Sequence, residues 1–153
     1  MAAHLVAATD VVSFELEMVI YETTSRNGLR EIDHLRHVIS LGRDTYHTGK
    51  ISYHLVDEMC QVLEEFEQVM KSYQVEDYRA YATSAMREAK NSQIILEQIR
   101  VRTGIQVQVI SNSEQRFLGY KDIAMKGAEF QKIIEKGTAI ADVRFGSVQS
   151  SVL

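Results

Sequence analysis

The sequence predicts an α/β fold in which a mixed sheet is flanked by helices, and three observations carry that expectation. The first forty residues read as strands, with apolar runs or apolar-polar alternation. From Ser52 the apolar residues recur instead at three- and four-residue steps. Beyond residue 76, short apolar runs take turns with helical segments, the order that places helices against a sheet. A chain of 153 residues can enclose one sizeable core, whereas two complete domains would be cramped.

Residues 4 to 11 are an apolar strand. Phe14, Leu16, Met18 and Ile20 alternate with Glu15, Glu17 and Val19 in a second strand with one face for a core. Asn27-Gly28 tolerates positive φ, so a hairpin should lead into a third strand over about residues 29 to 39. Residues 40 to 50, rich in glycine, threonine and charge, are expected to form an exposed loop. Leu55, Val56, Met59, Val62, Leu63, Phe66, Val69, Met70 and Tyr73 then mark a long amphipathic helix, with Ser52 as its N-cap. A strand at 77 to 83, a helix at 86 to 102 ended by Gly104, a strand at 105 to 110 and a helix beginning near Ser111 to Ser113 follow.

Three meandering strands followed by α, β, α, β, α suggest a ribonuclease H-like half domain. After Gly127 a polar helical segment leads to a strand at 138 to 143 and another opening at 147, as though a second copy began there. The expected organisation is a ribonuclease H-like domain I over residues 1–127, then over 128–153 a linker helix and the opening strands of an incomplete domain II. An unfinished second sheet would leave strand edges open, which predicts self-association into a homo-oligomer.

Composition narrows the function classes. No apolar run approaches the roughly 20 residues of a membrane helix, and the N-terminal stretch lacks the basic region of a signal peptide, so the expectation is a cytoplasmic protein with no membrane partner. The net charge of −4 argues against broad attraction to nucleic acid. Cys60 is the single cysteine, set among Met59, Val62 and Leu63, and reads as a core thiol. His34, His37, His47 and His54 are dispersed, and His34 and His37 fall on opposite faces of their strand, so no metal cluster is expected.

Two segments carry candidate chemistry, Ala7-Ala8-Thr9-Asp10-Val11-Val12-Ser13 and Ala139-Ile140-Ala141-Asp142-Val143-Arg144-Phe145-Gly146-Ser147. A strand ending in Asp and followed by small residues can bring backbone N–H groups against a phosphate, and glycine is what permits so close an approach. Val12, Arg144 and Phe145 stand where glycine would serve. Between the two lie Ala82-Thr83-Ser84-Ala85-Met86-Arg87-Glu88-Ala89-Lys90-Asn91, at a strand-to-helix passage, and Ile110-Ser111-Asn112-Ser113-Glu114-Gln115-Arg116.

Together these four segments resemble the exopolyphosphatase and guanosine pentaphosphate phosphohydrolase (Ppx/GppA) family. The resemblance implies the ribonuclease H-like fold of the actin, sugar kinase and heat-shock ATPase superfamily, whose paired domains enclose phosphate between two glycine-bearing turns. It also implies residue roles. Asp10 and Ser13 match the first turn, where Val12, Phe14 and Glu15 replace the family's glycine, asparagine and hydroxyl residue. Glu17 replaces a common basic residue; Glu15 and Glu17 either oppose an anion in the cleft or point to solvent. Asp142, Gly146 and Ser147 match the second turn, where Gln149 replaces a glutamate. There Arg144 either grips phosphate through its guanidinium or stands beside a turn blocked by Phe145.

The family's catalytic glutamate falls at Gln115 or, one residue earlier, at Glu114. An amide orients water but does not take its proton, and an acid in the first turn of a helix also simply favours the helix dipole. Arg87 matches a phosphate-contacting arginine, the alternative being a surface pair with Glu88, and Asn91 is a possible helix cap. Magnesium is expected only in an active enzyme, held by Asp10, Asp142 and substrate phosphates. The resulting expectation is an exopolyphosphatase-like protein with an impaired phosphohydrolase site and a nucleotide-binding, phosphate-binding or regulatory role. The alternative is an active hydrolase releasing terminal phosphate from polyphosphate or guanosine pentaphosphate, with Glu114 as base and Arg87 as clamp.

Overall fold

The structure, a computed structural model, describes residues 4–24, 28–111, 114, 139–144 and 147–152, with the backbone alone for Leu29 and the last two stretches. Strand β1 (His4–Val11) runs antiparallel to β2 (Glu15–Thr24), which runs antiparallel to β3 (Gly28–Val38). On its other side β1 lies parallel to β4 (Asp77–Ala82), and β4 parallel to β5 (Gln108–Val109), giving the order β3-β2-β1-β4-β5. This is the expected mixed sheet. The uneven alternation of β3 has a local cause: Ile20 pairs with Asp33 but Tyr21 with Glu31, so Ile32 is an extra residue in a bulge.

The period-two pattern assigns one face to the core. Leu16, Met18 and Ile20 are fully buried there, beside Ala7, Thr9 and Val11 of β1 and Ala80 and Ala82 of β4. Helix α2 (Tyr53–Ser72) lays Met59, Cys60, Leu63, Phe66 and Met70 on this cluster, and α4 (Ser92–Thr103) adds Ile95 and Ile99. Each such large apolar side chain contributes roughly 1.5–3 kcal/mol relative to exposure. Cys60 is one of these core residues, and burial pushes its thiol pKa up, away from nucleophilic use.

Residues 40 to 50 are not a loop. Leu41–Thr48 form helix α1, with Leu41, Gly42 and Thr45 buried and Gly49 closing it at φ 80°. The segment holds this form through tertiary contacts: Gly42 N–H donates to Ser13 O at 2.7 Å, and Thr45 Oγ1 donates to Ala85 O at 2.9 Å.

The single helix expected over residues 86 to 102 is likewise two, α3 (Ser84–Glu88) and α4, separated where Ala89 turns extended. Lys90 N–H donates to Gly49 O at 2.8 Å, and the Asn91 carboxamide accepts Ile51 N–H at 3.2 Å and donates to Ile51 O at 2.9 Å. Asn91 therefore fastens the α1–α2 connection to the start of α4, and its side chain makes no cap bond. Ser52 occupies the N-cap position of α2 as expected, yet its hydroxyl lies 3.2 Å from His54 Nδ1 and does not cap either. Gly104, at φ 77°, ends α4 where the sequence places the stop, while β5 is shorter than the strand expected over 105 to 110.

Strands β6 (Ala139–Arg144) and β7 (Ser147–Val152) pair antiparallel in a sheet of their own, the expected strand-turn-strand. The helical segment expected after Gly127 lies outside the described residues. Among the described residues no helix is long and apolar enough to cross a membrane.

Candidate functional site

The parallel strands β1, β4 and β5 end side by side. Thr83 N–H donates to Val11 O at 3.1 Å and Ile110 N–H to Ala82 O at 3.0 Å, so the segments following all three strands emerge along one edge. That edge is where α/β sheets place their ligand-handling loops. After β1 the chain turns at once into β2, with Val12 N–H donating to Glu15 O at 3.1 Å. Ser13, at the head of this turn, is buried.

Ser13 Oγ lies 3.2 Å from Ser84 Oγ, which opens α3 directly after β4. Helix α1 brings a third hydroxyl to the pair: Tyr46 OH donates to Ser84 Oγ at 2.9 Å and lies 3.1 Å from Ser13 Oγ. Gly42, one helical turn before Tyr46, makes the approach possible. A Cβ at that position would sit 2.9 Å from both Ser13 Cβ and Tyr46 Cε2.

Arg87 follows Ser84 by one turn of α3, is half-buried, and donates from Nη1 to Ile110 O at 2.8 Å, which ties α3 to the end of β5. Immediately beyond, Ser111 and Glu114 form a reciprocal pair. The Glu114 carboxylate accepts Ser111 N–H at 2.7 Å, and Ser111 Oγ accepts Glu114 N–H at 3.2 Å, the capping box of a helix start. The Ser111 N–H, followed by its hydroxyl, holds the Glu114 carboxyl below the usual glutamate range. Gln115 lies outside the described residues.

Asp10 is half-buried on the sheet face away from the core, in register with Glu17 on β2 and Tyr81 on β4. Glu17 pairs with His34, whose Nδ1 also meets Glu31 Oε1 at 3.2 Å, and Glu15 Oε2 lies 2.8 Å from Arg36 Nη2. Both glutamates are thus engaged with β3 in cross-strand pairs. His37 bonds Glu58 Oε1 at 2.9 Å from the opposite face, as the strand spacing requires. In β6 and β7 the backbone register sets Asp142 opposite Gln149 and Ser147 opposite Arg144; Gly146 lies outside the described residues. Among the described residues no three His, Cys, Asp or Glu side chains gather as metal ligands.

The structure therefore brings Ser13 and Arg87 of the sequence-derived candidates to the strand ends, with Glu114 at the next helix start. Sequence reasoning missed Tyr46, Gly42 and the individual role of Ser84. Ser84 lay inside a segment already singled out, and Leu41, Gly42 and Thr45 at one-turn spacing followed by Gly49 was the faint signal for α1.

The mixed five-stranded sheet with its flanking helices is an α/β domain of the actin-like ATPase type. Residues 19–134 match the Ppx/GppA phosphatase family, and the chain belongs to that family. It is 29% identical over 82 residues to exopolyphosphatase 1 of Mycobacterium tuberculosis, covering 54% of this chain and 24% of that protein. To exopolyphosphatase 1 of Mycobacterium leprae it is 33% identical over 73 residues, 48% of this chain and 22% of that protein. A crystal structure of the Aquifex aeolicus Ppx/GppA family member superposes with a TM-score of 0.78 at 25% identity, covering 99% of this chain and 51% of that one. The Aquifex aeolicus PPX-GPPA enzyme gives 0.67 at 30% identity, over 71% of this chain and 36% of that one. The chain thus spans about a quarter of the curated relatives and at most about half of these solved structures.

Proposed function

We propose that this chain is an exopolyphosphatase-like domain that takes phosphate, or the phosphate end of a polyphosphate or phosphorylated nucleotide, at the ends of β1 and β4, with its hydrolase chemistry impaired. The observation that carries the reading is the Ser111–Glu114 pair. A general base must be free to reach the attacking water and hold a pKa near the operating pH. One oxygen of the Glu114 carboxylate instead receives Ser111 N–H, and that bond, with the Ser111 hydroxyl, moves its pKa down, away from neutrality. The position beside it carries Gln115, whose amide orients water without accepting its proton.

The first turn supports the same conclusion. Val12 stands where a glycine would allow close backbone approach, and its N–H is engaged by Glu15 O. What remains for an anion is side-chain chemistry, from Ser13, Ser84 and the Arg87 guanidinium, with Asp142, Gly146 and Ser147 completing the site from the second turn. Magnesium fits weakly: Asp10 is the one proposed ligand whose side chain is described, and no larger ligand set accompanies it among the described residues. No step is therefore derived through the ion.

The test is phosphate release from polyphosphate and from guanosine pentaphosphate by the purified chain with magnesium. The expected result is no turnover above background, with Gln115→Glu introducing some. Steady turnover that Glu114→Gln abolishes would overturn the impaired reading and make Glu114 the base.

A further inference from the structure

We propose that Tyr46 is a built-in occupant of the phosphate subsite between β1 and β4, its phenol oxygen holding the place that a ligand oxygen takes when the site is filled. The inference rests on the reading above that this strand edge binds phosphate, and adds to it the group that stands against the two serines.

Three hydroxyls meet at 2.9, 3.1 and 3.2 Å. Each carries one proton and two acceptor lone pairs. Tyr46 donates to Ser84, so the arrangement that places every proton has Ser84 donating to Ser13 and Ser13 donating back to Tyr46. In that closed ring all three protons are committed, and what the cluster presents outward is lone pairs. A phosphate oxygen needs donors. It can bind Ser13 and Ser84 only if the ring opens and both seryl protons turn toward it, and the atom then displaced is the phenol oxygen that lies within hydrogen-bond distance of both.

Burial shows the direction of access. Ser13 is 4% and Ser84 3% exposed, whereas Tyr46 is 39% exposed, so the tyrosine is the member of the cluster that reaches solvent. It is carried by α1, whose contact with the first turn depends on the bare Cα of Gly42 and on the bond from Gly42 N–H to Ser13 O. The phenol is thus held over the serines by the same helix that supports their turn, and a ligand competes with it better the more charged oxygens it brings. Orthophosphate should compete weakly and a chain of phosphates well.

The experiment is titration calorimetry of the purified chain with inorganic tripolyphosphate, alongside Tyr46→Phe, Tyr46→Ala, Ser84→Ala and Tyr46→Phe combined with Ser13→Ala, each first checked for a native melting transition. Removing one competing hydrogen bond should tighten tripolyphosphate binding by about five- to tenfold in Tyr46→Phe, and Tyr46→Ala should tighten it as well. Ser13→Ala added to Tyr46→Phe should cancel the gain. Unchanged or weaker binding in both tyrosine variants overturns the proposal, weaker binding making Tyr46 a ligand of phosphate. A gain that survives Ser13→Ala overturns it also, since the competition then lies elsewhere. If the parent binds and Ser84→Ala abolishes that binding while the tyrosine variants change nothing, the phosphate reading stands and the occupant alone falls; if no variant binds tripolyphosphate, both fall.

Discussion

The β4–α3 junction and the segment that leaves β5 lie next to each other and use serine for opposite ends. At the first, Ser84 begins a helix whose N-cap makes no side-chain bond, and its hydroxyl reaches Ser13, 71 residues away in sequence, and Tyr46. At the second, Ser111 bonds Glu114 three residues on, in both directions. One junction leaves its helix start to backbone and turns its polar group toward the strand edge. The other commits its hydroxyl, its N–H and one oxygen of the Glu114 carboxylate to a local pair. The sequence reads both as helix starts after strands, and only the partners of the two serines tell them apart.

The comparison breaks most severely at Gly42. Gly42→Ala would press a methyl group to 2.9 Å from Ser13 Cβ and Tyr46 Cε2, distances that no Cβ normally occupies. The expected loss is about 1–3 kcal/mol from overpacking, read as a lower midpoint in urea unfolding, together with altered tripolyphosphate affinity because α1 must shift off the turn. An unchanged midpoint would show that α1 is not packed on Ser13 as described.

Ser111→Ala acts on the other junction and should be milder. Loss of an N-cap hydroxyl lowers the melting temperature by roughly 2–4 °C, with tripolyphosphate affinity unchanged because Ser111 belongs to the scaffold. A Ser111→Ala protein that melts normally but loses phosphate binding would erase the distinction between the two junctions.

The smallest effect is the pH dependence of the Ser111–Glu114 pair. The folded-state pKa of Glu114 lies below its unfolded value, so its contribution is fully present above the ordinary glutamate range and is lost as pH falls through the lowered folded value. Melting curves of the parent and Glu114→Gln should accordingly differ at neutral pH and converge in acid. Convergence on the alkaline side instead would contradict the capping role.

Much of the fold was legible because its periodicity is local. Leu16, Met18 and Ile20 recur at every second position and are all buried, and the apolar steps of α2 become its core face. Gly28 and Gly104 fall where positive φ is needed. Helix α1 was not legible, since its buried face is only Leu41, Gly42 and Thr45, too little apolar surface to show a period. The break between α3 and α4 was hidden for a related reason: Ala89 and Lys90 are good helix formers, and the interruption comes from Gly49 and Ile51, some forty residues earlier.

The candidate site divides along the same line. Asp10, Ser13, Arg87 and Glu114 are candidates on motif position alone, and the residues between the two aspartate segments were enough to mark the family. It did not determine which hydroxyls meet. Tyr46 read as part of a polar loop, and Ser84 as one small residue among several, because a hydrogen bond between residues 13, 46 and 84 leaves no mark in the composition around any of them. Those encounters exist only once β1 and β4 lie parallel and α1 packs through Gly42 onto the turn, so packing between distant segments sets Tyr46 against Ser13 and Ser84, whereas the Ser111–Glu114 pair is local.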